Sequence, residues 1–532
     1  MNIVLIVIYI IACGYMVMNF KHDLQMLQQN SYRLKRYWRW QSGNLMDSWR
    51  LIDVALLLLL FSRLLYITLS VIIVSIVLAV KTIIILRKKY KKPLVFTPRI
   101  WRLYSATAII GIGIFCAVLF SCAGKPEILG FYSPVAITLG TLLMITIFSW
   151  VPVMIAVLIL KPVETLINNH YRNDAVRILK SMPDLKIIGI TGSYGKTSTK
   201  HYLQKILSEQ YDVLITPGSY NTPLGVIRTI REMMKPYNEV FICEMGAKQK
   251  GDIKEICDLV HPAIGIITAV GPMHLETFGS LENVQSTKFE LIDSLPPDGL
   301  GVINNDFPLC ASRNIDNVTS IRYTVTGKSQ CQYEACGIRY SHDGTTFTVK
   351  GPNGLQLSLQ TQLVGEGNIA NLLGAIIIAL YLNVSPEKIR HAVSQINQVE
   401  HRLSIKRTPS GVTIIDDAFN SNPTGSRMAV DVLKGFTDGK RIIVTPGMIE
   451  LGSEQYNLNR DLGEYIAGKV DIAIIVGKYN RDAIVEGLKK GQMKESDIII
   501  VDTFTQAQTT LQSLLASKDT VLYENDLPDT FR

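Results

Sequence analysis

Apolar and polar positions follow two different patterns on either side of residue 161. Before it, long and almost uninterrupted apolar stretches occupy 2–20, 51–86, 106–122 and 134–160. After it, short apolar runs alternate with amphipathic segments of helical length. A stretch of about 20 apolar residues is long enough to cross a bilayer as a helix. The pattern therefore predicts an α-helical transmembrane domain over 1–165, followed by domains of mixed α/β type.

The number of membrane spans depends on the stretch 51–86, which is too long for one ordinary span. We expect it to fold as a hairpin with Arg63 near its turn. The basic segments 21–50 and 87–103 then both face the cytoplasm, as the positive-inside rule requires. This topology has about five helices, an external N-terminus and cytoplasmic domains after Lys161. We expect Arg63 to be the chief ionisable residue of the spans, whereas a path for ions or solutes needs acidic or histidine residues there, so a transport role is disfavoured.

Strand-like apolar runs recur through the second part of the chain. They lie at 185–190, 240–243, 264–268, 301–304, 412–415, 441–445, 472–476, 498–501 and 521–523. Since helix-length segments separate most of them, parallel sheets with helices on their faces are favoured. The stretch 318–363 is rich in Thr, Gly and alternating positions, and we expect it to form a short β-rich insertion.

The net charge of +9 does not indicate nucleic-acid binding, because the basic residues crowd into the first hundred positions. Two basic clusters, 33–39 and 87–92, lie directly beside apolar stretches, and their aromatic residues suit a membrane interface. We therefore predict the lipid bilayer as a partner and no nucleic acid. The eight cysteines lack the spacing of a zinc site, so thiols in a reducing compartment are expected.

A glycine-rich turn, Thr-Gly-Ser-Tyr-Gly-Lys-Thr at 191–197, follows one apolar run and precedes a predicted helix over 198–210. A strand, a glycine-rich turn and a helix form a phosphate site, because backbone N–H groups and the helix N-terminus face the anion. Lys196 can reach the terminal phosphates, and the hydroxyl of Thr197 can ligate Mg²⁺. The common P-loop has a glycine where this chain has Ile190. We expect this turn to bind a nucleoside triphosphate.

Three further residues downstream of this turn are candidates for chemistry. Glu244 follows an apolar run, where it could hold Mg²⁺ or could interact with a helix dipole. His274 follows the next run and could ligate a metal or cap the following segment. Lys288 lies on a predicted helix, where a single lysine is ordinarily a solvated surface residue. Taken one at a time, these residues leave both interpretations open.

Taken together with segments further along, they resemble the Mur ligase family, the ATP-dependent amide-forming enzymes of peptidoglycan precursor synthesis. The match is greatest to the branch that adds D-alanyl-D-alanine, and it covers roughly residues 185–480. Its segments, in order, are TGSYGKT at 191–197, EMGA at 244–247, HLETFGS at 274–280, Lys288, GEGNIAN at 365–371, HRL at 401–403, DDAFNSNP at 416–423 and GMIELG at 447–452.

The resemblance implies the domains, the cofactors and the residues that hold them. A transmembrane domain (1–165) is expected to precede an α/β P-loop ATPase domain (166–398) and a C-terminal α/β Rossmann-like ligase domain (399–532). ATP and two Mg²⁺ ions are implied as cofactors. The triphosphate and first Mg²⁺ are expected at Gly192, Gly195, Lys196, Thr197 and Glu244. The second Mg²⁺ is expected at His274 and at Lys288, which resembles the carbamylated lysine of the family.

Other residues resemble the family's nucleotide and acceptor contacts. Arg402 resembles the cation that meets the γ-phosphate, so Lys196, Lys288, His274 and Arg402 form the expected catalytic set. The adenine side is expected at Asn368 and Asn371, the ribose at Asp417, and the acceptor at Asn221 and Asn420. The implied reaction passes a carboxylate through an acyl phosphate to an amide.

The chain departs from the family pattern in places that bear on its substrates. Membrane stretches occupy the place of the family's domain for the uridine-linked sugar peptide. Gly367 stands where a histidine is usual in relatives, and Phe419 stands where some relatives have a lysine. The segment 523–529 does not resemble the one expected of the branch that adds a dipeptide. We expect a multi-pass protein of the bacterial cytoplasmic membrane that acts on a cell-wall or envelope precursor, either soluble or lipid-linked, and on an amino acid or a dipeptide such as D-alanyl-D-alanine. The alternatives are a ligase for another envelope polymer and a membrane scaffold or transport partner switched by ATP.

Overall fold

A computed structural model describes residues 3–45, 47–62, 66–88, 90, 93–123, 134–341, 344–399, 401–418 and 422–526. Internal contacts divide the chain into two units, which meet in the sequence between Ile167 and Asn168. The three domain ranges expected from the sequence stay a prediction.

All regular secondary structure in the described residues of the first unit is helical. Its helices are α1 (Ile3–Gln29), α2 (Leu34–Gly43), α3 (Ser48–Phe61), α4 (Ile67–Arg87), α5 (Pro98–Ala123), α6 (Pro134–Ile147) and α7 (Trp150–Lys180), of which α7 continues into the second unit. Among the described residues, four helices are long and apolar enough to cross a membrane: α1, α4, α5 and α7. The expected count of five spans stays a prediction.

Two of the long apolar stretches are each divided between two helices. In 51–86, α3 ends at Phe61 and α4 begins at Ile67, and the expected turn residue Arg63 lies outside the described part of the chain. The stretch 134–160 was expected to be one span, but α6 ends at Ile147 and α7 begins at Trp150. Pro152 has no N–H to donate to the carbonyl four residues earlier, so one continuous helix is disfavoured there.

The expectation that Arg63 is the chief ionisable residue of the spans is wrong. Asp53 of α3 and Lys81 of α4 are both buried, and their side chains form an ion pair with an Nζ–Oδ1 distance of 2.5 Å. The hydroxyl of Tyr15 donates to the other Asp53 oxygen at 2.8 Å, and Lys81 Nζ also donates to the Trp49 carbonyl at 2.7 Å. One polar cluster therefore joins α1, α3 and α4, and each charge in it has partners.

The second unit contains a nine-stranded sheet with the order β2-β3-β1-β4-β5-β6-β7-β8-β9. Its strands are β1 (Lys186–Thr191), β2 (Val213–Ile215), β3 (Val240–Glu244), β4 (Ile264–Ile267), β5 (Leu300–Asn304), β6 (Thr319–Thr324), β7 (Tyr333–Ser341), β8 (Gly344–Lys350) and β9 (Gln356–Thr361). Neighbours from β2 to β7 pair in parallel, whereas β7, β8 and β9 pair antiparallel. The strands β6–β9 confirm the β-rich stretch expected over 318–363.

Helices cover both faces of this sheet, which explains why its central strands are continuous apolar runs. They are α8 (Lys196–Leu207), α9 (Pro223–Met233), α10 (Asp252–Val260), α11 (Leu275–Phe278), α12 (Leu281–Asp293), α13 (Pro308–Ala311), α14 (Glu366–Tyr381) and α15 (Pro386–Ser394), with a 3₁₀ turn at Pro352–Gly354. One core forms around Ile188, Tyr202 and Ile376, and the other around Phe241 and Leu291.

A six-stranded sheet follows, with the order β10-β11-β15-β12-β13-β14. Its strands are β10 (Ser404–Arg407), β11 (Thr413–Asp417), β12 (Arg441–Thr445), β13 (Ile472–Val476), β14 (Ile498–Val501) and β15 (Thr520–Glu524). Only the β10–β11 pair is antiparallel. The helices are α16 (Pro423–Lys434), α17 (Gln455–Ile466), α18 (Arg481–Lys490) and α19 (Phe504–Leu514), with 3₁₀ turns at Gly452–Glu454 and Glu495–Asp497. The expected succession of α/β domains is confirmed.

The sheet order explains where a site can form. Strands β3, β1 and β4 are adjacent and parallel, so their carboxyl ends lie along one edge of the nine-stranded sheet. At this edge the three strands end at Thr191, Glu244 and Ile267. Ligands of open parallel sheets bind at such an edge.

Candidate active site

The glycine-rich turn joins β1 to α8 and has a backbone that only glycine allows. Gly192 and Gly195 have φ angles of 154° and 82°. A Cβ atom at Gly192 would collide with the hydroxyl of Thr268, and one at Gly195 would collide with the side chain of Asn371. The turn is also hydrogen-bonded to the segment after β4, because Ser193 N donates to the Ala269 carbonyl at 2.8 Å. The expected phosphate loop is therefore tightly packed, with the N-terminus of α8 directly behind it.

Lys196, the first residue of α8, is folded across this turn. Its Nζ donates to the Gly192 carbonyl at 2.7 Å. Burial lowers the pKa of Lys196 to about 8, and Arg402 adds to this shift while Glu244 opposes it. A cation in this position, next to the free N–H groups of a helix N-terminus, is suited to bind the phosphates of a nucleotide.

Glu244 ends β3, and polar groups from α8 and from the segment before α9 meet at its carboxylate. The Thr197 hydroxyl lies 3.2 and 3.1 Å from its two oxygens. Lys200 Nζ is 2.9 Å from Oε2, and Asn221 Nδ2 donates to Oε1 at 3.0 Å. Burial acts to raise the pKa of Glu244, but the charges of Lys200 and Lys196 outweigh it and hold the pKa below the ordinary value. An ionised carboxylate beside a threonine hydroxyl is a pair of hard oxygen ligands that fits Mg²⁺.

His274 lies in the turn after β4, with a left-handed φ of 52°. Its Nδ1 is hydrogen-bonded to the carboxylate of Glu450, whose other oxygen lies 3.7 Å from Lys248 Nζ. Burial lowers the pKa of His274, although the Glu450 charge opposes this shift. A histidine that donates Nδ1–H to a carboxylate leaves the lone pair of Nε2 for a metal. This arrangement fits the metal-ligand interpretation of His274 better than a capping role.

Lys288 is not the solvated surface residue that its sequence context alone favours. It lies on α12, is only 2% exposed, and its Nζ is 5.8 Å from the centre of the Phe278 ring. Burial, together with the charge of Lys196, lowers the pKa of Lys288 to about 7. A large fraction of this amine is therefore neutral near pH 7.

The protein side chains alone do not complete a metal site. In the described part of the chain, no group of three or more His, Cys, Asp or Glu side chains is placed to hold a metal ion. The donors that fit Mg²⁺ are Thr197 and Glu244 at one position and His274 at the other. Oxygens of a bound nucleotide, and of a modified Lys288, would have to supply the rest.

A cavity of about 710 Å³ opens beside α8, with Thr197 and Arg402 both in its wall. Its other lining residues are His201, Tyr202, Lys205, Gly218, Ser219, Gln395, Ile396, Asn397, Gln398, Val399 and His401. Asn368 stands behind this wall, because the Tyr202 hydroxyl donates to Asn368 Oδ1 at 2.9 Å. The cavity thus begins at a predicted Mg²⁺ ligand and is large enough for a nucleotide.

Arg402 and Asp417 are both partly buried, and the charge of each influences the pKa of the other. Burial lowers the pKa of Arg402, while Asp417 and Glu244 oppose the shift. Burial raises the pKa of Asp417, and the Arg402 charge opposes that rise. Asp417 Oδ1 already accepts a hydrogen bond from Leu403 N at 3.0 Å. Arg402 therefore supplies a partly buried cation to the wall of the cavity.

Most of the predicted residues come together at the sheet edge. The turn, Glu244 and Asn221 form one hydrogen-bonded cluster, and Asn371 packs against the turn at Gly195. The substrate candidate Asn420 and the neighbouring Phe419 lie outside the described residues. Sequence reasoning missed the partners Lys200 and Glu450. Lys200 follows Lys196 by four residues, and this spacing places both on one helix face.

Two family models match the second part of the chain. The description of the first is "Mur ligase middle domain", matched over residues 190–379. The second is "Mur ligase, glutamate ligase domain", matched over residues 401–523.

Individual relatives carry names that agree with these descriptions. The UDP-N-acetylmuramoyl-tripeptide–D-alanyl-D-alanine ligase of Bacillus subtilis is 31% identical over 348 residues, 64% of this chain and 72% of that protein. Its namesake from Haemophilus influenzae is 30% identical over 314 residues, 58% of this chain and 66% of that protein.

Solved structures show the same likeness. A crystal structure of MurF from Acinetobacter baumannii matches with a TM-score of 0.61 and 25% identity, over 68% of this chain and 77% of that one. MurF from Thermotoga maritima in complex with ADP has the same TM-score at 23% identity, over 68% and 80% of the two chains, and shows the fold alone.

Proposed function

The chain belongs to the Mur ligase family, and we propose that it uses ATP to join a carboxylate of a cell-wall precursor peptide to an amine. The enzyme is an ATP-dependent ligase, and its relatives are named for adding D-alanyl-D-alanine to a UDP-N-acetylmuramoyl-tripeptide. We infer that the amine of this enzyme also belongs to an amino acid or dipeptide. The observation that supports the proposal most is that Glu244, at the end of β3, meets Thr197 beside the glycine-rich turn that Lys196 crosses.

The first half of the reaction is activation of the carboxylate. The N–H groups of the turn and Lys196 hold the triphosphate, and Arg402 approaches it from the cavity wall. A substrate carboxylate then attacks the γ-phosphorus, which gives an acyl phosphate and ADP. Thr197 and Glu244 would hold Mg²⁺, whose positive charge would stabilise the phosphate oxygens. Catalysis by these residues consists of orientation and charge stabilisation.

In the second half, the amine attacks the acyl carbon and inorganic phosphate leaves. Asn221 and Asn420 are the residues that we assign to the acceptor side, and Asn368, Asn371 and Asp417 to the nucleoside. The cavity supports the nucleoside assignment, because Asn368 contacts its wall residue Tyr202.

We further propose that Lys288 is carbamylated and joins His274 as a ligand of a second Mg²⁺. Addition of CO₂ to an amine requires the neutral form, and burial of Lys288 favours that form near pH 7. The product is an anion, so its oxygens are ligands of the kind Mg²⁺ prefers. The hydrogen bond from His274 to Glu450 supports the same site, because it orients the ring toward a metal.

The membrane assignment extends the proposal to the acceptor. Within the described residues, four helices long and apolar enough to cross a bilayer precede the ligase domains, and basic residues flank them. We propose a multi-pass protein of the cytoplasmic membrane with its ligase domains in the cytoplasm. A lipid-linked precursor would then be confined to the same surface as the enzyme, which raises its effective concentration.

The full chain in lipid nanodiscs tests this function through phosphate release and the mass of the product. ATP, D-alanyl-D-alanine and a muramoyl-tripeptide, offered either as its UDP derivative or as a lipid-linked derivative, are expected to give a product joined by one new amide. Equal turnover of the two acceptors would remove the support for the lipid-linked form. Lys288→Ala separates a ligase from an ATP-driven switch, because only the ligase needs this residue. Lys254→Met, in an exposed ion pair with Asp258, is the matched control.

A further inference from the structure

Lys200 is a buried lysine for which the proposed reaction has no assigned step. It lies one turn after Lys196 on the same face of α8, and its side chain is completely buried. Buried ammonium groups occur in proteins only where charged or polar partners surround them. The partners of Lys200 therefore indicate what it does.

Its two hydrogen-bond partners come from different segments. Lys200 Nζ is 2.9 Å from Oε2 of Glu244, the predicted Mg²⁺ ligand. The same nitrogen donates to the carbonyl of Gly218 at 2.8 Å. Gly218 belongs to the segment 216–222, which contains the acceptor-side candidate Asn221 and has a left-handed φ of 48° at Gly218. One ammonium thus connects the metal-binding carboxylate to the acceptor-side segment.

Further bonds tie the same segment to Glu244. Asn221 Nδ2 donates to Oε1, the oxygen that Lys200 does not contact, and Glu244 N donates to Thr216 Oγ1 at 3.1 Å. The Thr197 hydroxyl approaches both oxygens of the carboxylate. Lys200 and Asn221 therefore fix the rotation of the Glu244 carboxylate. The side of the carboxylate that faces Thr197 is the side that a metal ion would occupy.

We propose that Lys200 is a positioning residue that makes the segment 216–222 adopt its acceptor-binding arrangement when a metal-bound nucleotide occupies Glu244. The proposal rests on the proposed function in assigning Mg²⁺ to Glu244 and the acceptor to Asn221. Lys200 joins the two sites through one nitrogen, beside the Asn221 and Thr216 hydrogen bonds that also connect the segment to Glu244. Loss of this link is expected to weaken the dependence of the order of the segment on nucleotide binding.

The test is hydrogen exchange of the full chain in nanodiscs, with Mg²⁺ and ADP as the probe and no acceptor. In the wild type, Mg²⁺ and ADP are expected to slow exchange in peptides that cover 191–199 and 216–222. In Lys200→Met, 191–199 is still protected, whereas 216–222 exchanges about tenfold faster, as loss of one net hydrogen bond predicts. Unchanged protection of 216–222 in the variant overturns the proposal. A uniform rise in exchange over the chain also overturns it, since that result indicates a role in stability alone.

A second variant covers the case in which Lys200→Met does not fold. Lys200→Arg keeps the charge beside Glu244, but a planar guanidinium cannot occupy the place of one nitrogen between the two acceptors. It is expected to deprotect 216–222 in the same way, and protection at the wild-type level contradicts the inference. The control Lys254→Met is expected to match the wild type in both peptides. Failure of the proposed function is separately visible, because the wild type would then show no protection of 191–199.

Discussion

The contact between Glu450 and His274 gives the sharpest prediction about the metal site. Glu450 comes from the segment after β12 and has a left-handed φ of 62°. It bonds to the ring of the partly buried His274, which also has a left-handed φ. A left-handed backbone is strained in residues other than glycine, and it persists only where the surrounding structure holds it in place. Two such residues in contact therefore indicate a contact that serves the site. Glu450→Ala removes the carboxylate, and Glu450→Gln keeps an acceptor oxygen for Nδ1–H. Both leave the phosphate loop untouched.

The expected size of the effect follows from the role of the carboxylate. Loss of a partner that orients a metal-binding histidine costs about 10- to 100-fold in metal affinity, and a hydrogen bond to a charged group contributes about 1.5–3 kcal/mol. Glu450→Ala should therefore raise the Mg²⁺ concentration for half-maximal phosphate release by about 10- to 100-fold, and Glu450→Gln by less.

Phosphate release titrated with Mg²⁺ at saturating ATP measures this effect, and thermal unfolding of each variant serves as the check on folding. A folded Glu450→Ala protein with the wild-type Mg²⁺ dependence would refute the reasoning. It would mean that His274 is not a metal ligand, or that it needs no orientation by Glu450.

Three further predictions follow from the described contacts. Removal of CO₂ should slow the ligase, and added bicarbonate should restore its activity. The activity should return faster above pH 7 than below it, because the lowered pKa of Lys288 leaves its amine neutral above pH 7. A return of activity that does not depend on bicarbonate would contradict carbamylation. The affinity for ADP should fall as the pH rises through about 8, where Lys196 loses its proton, and this dependence should be absent in Lys196→Met, as calorimetry can show. In the first unit, Lys81→Met should lower the thermal midpoint because it leaves Asp53 buried without its cation, at a cost of about 3–5 kcal/mol. A second change, Asp53→Asn, should recover part of the loss. An unchanged midpoint in Lys81→Met would mean that the pair does not stabilise the unit.

Much of the α/β fold could be predicted from the sequence, for a clear physical reason. Strands such as β3 and β4 are covered on both faces, so each appears as an unbroken apolar run. The phosphate turn was recognisable because the backbone conformation at Gly192 and Gly195 restricts the residue type. The order of the segments then identified the family, and the comparisons confirmed it.

Other features depend on packing that hydropathy does not record. The stretch 134–160 is almost entirely apolar, so its hydropathy does not reveal that it is divided between two helices, α6 and α7. Pro152 was a local signal of this division. The ion pair of Asp53 and Lys81 was overlooked because single charges barely change a long apolar average. His274 and Glu450 are 176 residues apart in the chain, and no local pattern indicates their contact.

Transfer of oxygen from the reacting carboxylate tests the central claim most directly. The full chain would be given ATP, D-alanyl-D-alanine and a muramoyl-tripeptide that carries ¹⁸O in both oxygens of that carboxylate. An acyl phosphate retains one of these oxygens in its bridging bond, and attack of the amine releases it with the phosphorus. The account predicts inorganic phosphate with one ¹⁸O atom for each amide formed, as measured by mass spectrometry. Phosphate without the label would show that water attacks ATP instead, and would contradict the assignment of this chain as a ligase.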